Sequence, residues 1–172
     1  MLRSIVMSGL VFGSLATTAI AQTATDAGAP MTASDFITAA SQSDMFEIEE
    51  GKMAQKMSST AAVRQFGSKM VRDHTKTTAT LHRAITKAGM AVPPPPPLRP
   101  DQEQMASQLK SMSGKDFDKA YLTQQVQSHQ EALVLQSGYA KAGDVPAIKT
   151  AARSAVPIVT MHLKMAQKMS GM

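Results

Sequence analysis

Five consecutive prolines, Pro93 to Pro97, constrain this 172-residue chain more than any other feature. Proline has no backbone N–H and its ring clashes with the preceding turn, so the run cannot be helical. It is expected to be extended, as polyproline II, covering ~3.1 Å per residue. Residues 90–100 are then long and stiff enough to cross most of the length of a helical bundle. On either side the spacing of apolar residues has a helical period. The run also suits a proline-recognising partner domain. Its position, where a crossover between two helical pairs must lie, favours the structural role.

The helix signals are local and plain. Ser34 is a good N-cap, with Asp35 in the first turn, for a helix reaching Met57. Ser58-Ser59-Thr60 is a tight connection, and a second helix runs to about Ala88, with Gly89 as its stop. A short helix is expected over Asp101 to Ser111. Ser113-Gly114-Lys115-Asp116 resembles a capping box opening a helix to Ala142, and Pro146 suits the first position of a helix ending near Ser170-Gly171. Pro157 falls inside that helix and should remove one hydrogen bond. Gly51 and Gly67 cost stability inside helices unless the helices approach closely there. The fold class is therefore all-α: a ferritin-like four-helix bundle with one long Pro-rich crossover and a short extra helix.

Residues 1–21 read as a signal peptide. Arg3 supplies the positive start, Ile5 to Ala16 an apolar stretch too short to span a bilayer, and Ala19-Ile20-Ala21 a small-residue cleavage motif before Gln22. Residues 22–33 read as a flexible leader and 34–172 as the bundle domain. The mature chain is expected to be periplasmic or secreted, with no transmembrane helix. Cleavage removes one basic residue and no acidic one, lowering a net charge of +5 by one. That charge is spread along helices (Lys52, Lys56, Lys69, Lys76, Lys87) with no basic cluster among aromatics, so nucleic acid is not an expected partner. The chain has no cysteine, so packing alone must stabilise it.

Four ionisable residues lie inside apolar stripes, one per long helix. At about 100° per residue, Glu47 shares its face with Phe36, Ala40 and Ala54. His74 follows Val63, Phe66 and Met70. His129 lies with Leu122, Val126 and Leu133, and His162 with Ala155, Val159 and Met165. His82 falls off its stripe. Glu47 lies about a dozen residues before the first turn and His74 about fourteen after it; His129 and His162 flank the second turn similarly, so at ~1.5 Å per residue all four share one level. Glu50, Asp73 and Thr77 flank them as supporting residues.

Burying such a layer has two solutions. Glu47 is ionised and shares a proton with the histidines, or neutral imidazoles and the carboxylate hold one divalent ion: iron, manganese, zinc or copper. The ligand candidates are Glu47, His74, His129 and His162. No nucleophile–base pair or phosphate loop stands out, so an enzyme is the weakest expectation.

The segments Phe46-Glu47-Ile48-Glu49-Glu50-Gly51-Lys52-Met53-Ala54, Met70-Val71-Arg72-Asp73-His74, Phe117-Asp118-Lys119-Ala120-Tyr121 leading to His129, and Ala155-Val156-Pro157 leading to Met161-His162-Leu163 occur in this order. In them, over residues 34–169, the chain resembles a bacterial domain-of-unknown-function family, number 4142, placed with ferritin-like bundles. The resemblance implies an exported helical protein and makes Pro157 a family feature. It supplies no mechanism. A di-iron pattern of Glu-x-x-His is missing, since Val71, Val126 and Val159 stand three residues before the histidines. A mononuclear site, or none, fits better. Asp118 and Tyr121 are expected to make a separate structural contact.

Lys52-Met53-Ala54-Gln55-Lys56-Met57-Ser58 recurs as residues 164–170. In the crossover topology both copies close helices at one end of the bundle. Thioethers bind copper(I), so Met53, Met57, Met165 and Met169 form an alternative soft-metal set, although methionine more commonly fills core gaps. The expected role is a metal-binding or stress-related envelope protein. Its rival is a structural or interaction module of the periplasm, with a hydrogen-bonded layer in place of a metal.

Overall fold

The computed structural model describes residues 31–171; the segment expected to be a signal peptide and most of the expected leader lie outside them. The fold is all-α. Five helices follow in order: α1 Ala33–Met57, α2 Ala61–Lys87, α3 Pro100–Lys110, α4 Gly114–Ala142 and α5 Pro146–Ser170. Among the described residues, no helix is long and apolar enough to cross a membrane.

Caps set the ends. The expected cap at Ser34 is displaced by two residues: α1 already starts at Ala33, so Thr32 caps it, its hydroxyl accepting from the Asp35 N–H, the N3 position. Ser113 precedes α4 without a side-chain cap bond, so the expected capping box does not form. Pro100 and Pro146 each open a helix, where the missing N–H costs nothing. α5 continues through Pro157.

α1 packs on α2, and α4 on α5; α1 also packs on α4 and α2 on α5. At one end the α1–α2 turn meets the start of α4: Ser58 pairs with Gly114, and Ser59 Oγ donates to Asp118 at 2.8 Å. At the other end Phe36 of α1 stacks on Tyr139 of α4, ring centres 4.1 Å apart. Those two contacts make α1 and α4 antiparallel, so the segment between α2 and α4 must travel the full length of the molecule. The proline run covers only the first part of that path against α1, where Gln42 Nε2 donates to the Pro97 carbonyl at 2.9 Å, and α3 covers the rest. α3 then lies across α1 and α4, and Lys110 Nζ pairs with Glu49 at 2.8 Å.

Gly51 and Gly67 mark the tightest contact of the fold. A Cβ on Gly67 would lie 2.7 Å from both Ala54 Cβ and the Gly51 carbonyl oxygen. The α1 and α2 backbones meet there, which no larger residue permits.

The apolar interior is in two parts. One contains Phe46, Phe66, Met70, Leu109, Phe117 and Tyr121; the other contains Phe36, Ile37, Leu81, Ile85, Tyr139 and Ile148. Met53 belongs to the first, with Met57, Met165 and Met169 packed against it. The two heptapeptide copies thus meet at one end, and their methionines pack into the core. Between the two parts lies a polar layer.

Candidate metal centre

His74, His129 and His162 are brought together in that layer from α2, α4 and α5, at 2%, 0% and 0% exposure. Their ring centres form a nearly equilateral triangle, with sides of 5.6, 5.3 and 5.3 Å. One ring nitrogen of each lies within 4.8 Å of those of the other two.

Every imidazole is anchored through its other nitrogen. His74 Nδ1–H donates to Asp44 Oδ1 at 2.8 Å. His129 Nδ1–H donates to the Gln125 carbonyl, one turn back on α4, at 2.8 Å. His162 Nε2–H donates to Asp73 Oδ2 at 3.1 Å. Since carboxylates and carbonyls only accept, these bonds fix the tautomers. Nε2 of His74, Nε2 of His129 and Nδ1 of His162, the lone-pair nitrogens of the neutral rings, are buried and without a partner.

The acceptors are themselves held. Asp44 also accepts from the hydroxyls of Thr77 and Thr78, at 2.8–2.9 Å. Asp73 takes Lys69 Nζ at 2.9 Å and Arg72 Nε at 3.0 Å. Beside Asp44 and Thr77, a cavity of about 60 Å³ that Gln136 also lines has room for a few waters.

Charge divides the three rings. Burial depresses the His129 imidazole, and burial with the neighbouring His74 and His129 pushes His162 down to about 3. Burial opposes protonation of His74 too, but the Asp44 hydrogen bond and the charges of Asp44, Glu47 and Asp73 outweigh it and raise that ring. Asp73 is held well below the usual carboxylate range: burial works against this, and hydrogen bonds from Lys69, His162 and Arg72 overcome it. The layer thus gathers four buried carboxyl groups, Asp44, Glu47, Glu50 and Asp73, around imidazoles of which two stay neutral.

Glu47 is buried in the same layer but outside the three-nitrogen group. Its Oε1 is 3.6 Å from His129 Nδ1, on the anchored side of that ring, and its Oε2 accepts from Gln125 Nε2 at 2.6 Å. Glu50, expected on the shoulder, is fully buried, and its Oε2 accepts from the same Gln125 nitrogen at 3.0 Å. Thr77 supports Asp44. Asp73 does support a histidine, but His162 across the bundle rather than its neighbour His74. Asp118 does tie α4 to the α1–α2 turn, through Ser59. Tyr121 takes no part in that contact: its hydroxyl has no partner, and its ring stacks on Phe117. His82 is exposed.

Sequence reasoning missed Asp44 and Gln125. On the wheel used for Glu47, Asp44 lies about 60° from the inward centre, and Gln125 lies about 40° from His129. Both lie within the buried arc, at an edge where a polar side chain does not by itself signal burial.

A model of one family, described as domain of unknown function DUF4142, matches residues 17–169. No curated protein and no solved structure matches the chain.

Proposed function

Because the chain belongs to the DUF4142 family, whose description names no activity, we propose its function from the polar layer itself: one divalent transition-metal ion held by His74, His129 and His162 in an exported, metal-binding envelope protein. The observation that carries this reading is the set of three buried lone-pair nitrogens, each on a ring anchored by an oxygen acceptor. That pairing of a ligating nitrogen with an anchored one is how proteins orient metal-binding histidines.

The dimensions support it. At a metal–nitrogen distance of about 2.0–2.1 Å, a tetrahedral ion puts each imidazole centre about 3.2 Å away and the centres about 5.2 Å from one another. The observed sides, 5.3–5.6 Å, need almost no adjustment. An imidazole that ligates through its lone pair is neutral, so the divalent ion is what offsets the surrounding carboxylates. An all-imidazole set favours zinc or copper(II) over manganese. Three protein ligands leave a further coordination position; Glu47, the fourth ligand expected from the sequence, faces the anchored Nδ1 side of His129 and lies outside the three-nitrogen group.

The test is elemental analysis of protein purified without a histidine tag, followed by zinc and copper titration. One equivalent is expected, lost in a His74→Ala, His129→Ala double variant. If the wild type takes up no metal while the double variant loses stability heavily, the layer is a hydrogen-bonded plug that fixes helix register. Export is tested by fractionation, with a mature N-terminus at Gln22 expected.

A further inference from the structure

We propose that Glu47, Glu50, Gln125 and Tyr121 form a second cation site, built only of oxygen donors, that binds a hard divalent ion of the manganese class. It is independent of the histidine site, with which it shares neither nitrogen donors nor metal preference.

Glu47 and Glu50 lie one turn apart on α1, at 1% and 0% exposure. Among the described residues, no lysine or arginine pairs with either of them. Their shared partner is one neutral nitrogen, Gln125 Nε2, at 2.6 Å from Glu47 Oε2 and 3.0 Å from Glu50 Oε2. An amide N–H₂ thus bridges two carboxyl groups at the point where a cation would. A neutral donor compensates two buried negative charges poorly. Burial first, and then the Glu47 charge, accordingly push Glu50 well above the ordinary carboxyl range.

The remaining polar atoms point to a ligand as well. Glu47 Oε1, Glu50 Oε1, Gln125 Oε1 and the Tyr121 hydroxyl are all buried and all without a partner. Tyr121 precedes Gln125 by one turn on the same face of α4, and after burial itself the charges of Glu47 and Glu50 are what act on its hydroxyl. Rotating the Gln125 amide by half a turn exchanges nitrogen for oxygen without moving the side chain. The same residue then bridges the carboxyl pair as a donor when no ion is bound and ligates the ion as a carbonyl. Carboxylate, carbonyl and phenol oxygens select hard ions. All four groups are buried, which disfavours magnesium, an ion that keeps several of its waters.

The experiment is a manganese(II) titration of the purified chain, with and without one prior equivalent of zinc. It is read by loss of the aqueous manganese signal in electron paramagnetic resonance. One equivalent of manganese is expected to bind in both cases. Glu50→Gln should weaken it at least 100-fold and leave zinc uptake unchanged; Tyr121→Phe should weaken it several-fold. The Glu50→Gln protein should keep its helical circular dichroism and melt no lower than wild type, since an amide is neutral, of the same shape, and still accepts from Gln125. Absence of manganese binding at millimolar concentration, or wild-type affinity in Glu50→Gln, overturns the proposal. Failure of zinc to bind would overturn the histidine reading and leave the manganese result standing.

Discussion

Asp44→Asn removes one charge from the centre and almost nothing else. Asp44 Oδ1 is 2.8 Å from His74 Nδ1, and the ring carries that contact through to Nε2. An ion on Nε2 at about 2 Å would lie about 7 Å from the carboxylate. A unit charge and a divalent ion at that separation attract by about 5 kcal/mol at an effective dielectric of 20. Asparagine still accepts the His74 N–H, and Thr77 and Thr78 can turn to the His74 carbonyl, 2.9 Å from each hydroxyl. The orientation of the ring therefore survives, and only part of the attraction is lost. Loss of such a supporting residue commonly weakens metal binding 10–100-fold, or about 1.4–2.7 kcal/mol. For Asp44→Asn we expect the upper half of that range, measured by competition with a chromophoric zinc chelator. Asp44→Ala, which strands the His74 N–H beside a void, should in addition destabilise the metal-free protein by about 3–5 kcal/mol. Zinc affinity unchanged within threefold in Asp44→Asn would show that His74 is not a ligand.

Gly67→Ala should destabilise the fold by about 1–3 kcal/mol in thermal melts although alanine is the better helix former, because the new methyl meets Ala54 and the Gly51 carbonyl; a raised Tm would refute the close approach. The metal-free protein should lose stability as pH falls from about 6.5 towards 3. His162 has a depressed pKa, so in that window the unfolded chain binds the extra proton, at up to about 1.4 kcal/mol per pH unit; His129, also depressed, acts in the same direction, whereas His74, raised, changes stability only above the window. Denaturant titrations of wild type and His162→Gln should show the slope reduced in the variant, and equal slopes would argue against a neutral buried His162. Asp118→Ala cuts the tie to Ser59 and should cost about 1–2 kcal/mol in chemical denaturation, leaving zinc binding intact.

Much of this arrangement was legible in the chain. Pro93 to Pro97 dictated the crossover, because a run that cannot be helical and lies between two hairpins has only one place to go. The histidines were readable because each interrupts an apolar stripe, and equal distances from the turns set their common level. Partners were less legible. That Asp73 anchors His162 and not His74 depends on how α2 and α5 face each other, which periodicity within one helix does not encode. Asp44 and Gln125 were hidden by their type, since at the edge of an arc a short acid or an amide reads as surface until the facing helix is known. Glu47 was placed correctly in depth but not in aim: which of its oxygens meets which neighbour is decided by Gln125, seventy-eight residues away.

The polar storey leaves the greasy interior as two compartments with no residue in common. Apart from the four long helices themselves, the halves are therefore joined through the polar layer, its three rings and their tethers. With those rings unligated, either half is expected to loosen while the other holds, which would admit an ion to the closed layer. Once seated, the ion rivets α2, α4 and α5 at mid-height, and the halves should open together, as one unit, in hydrogen exchange.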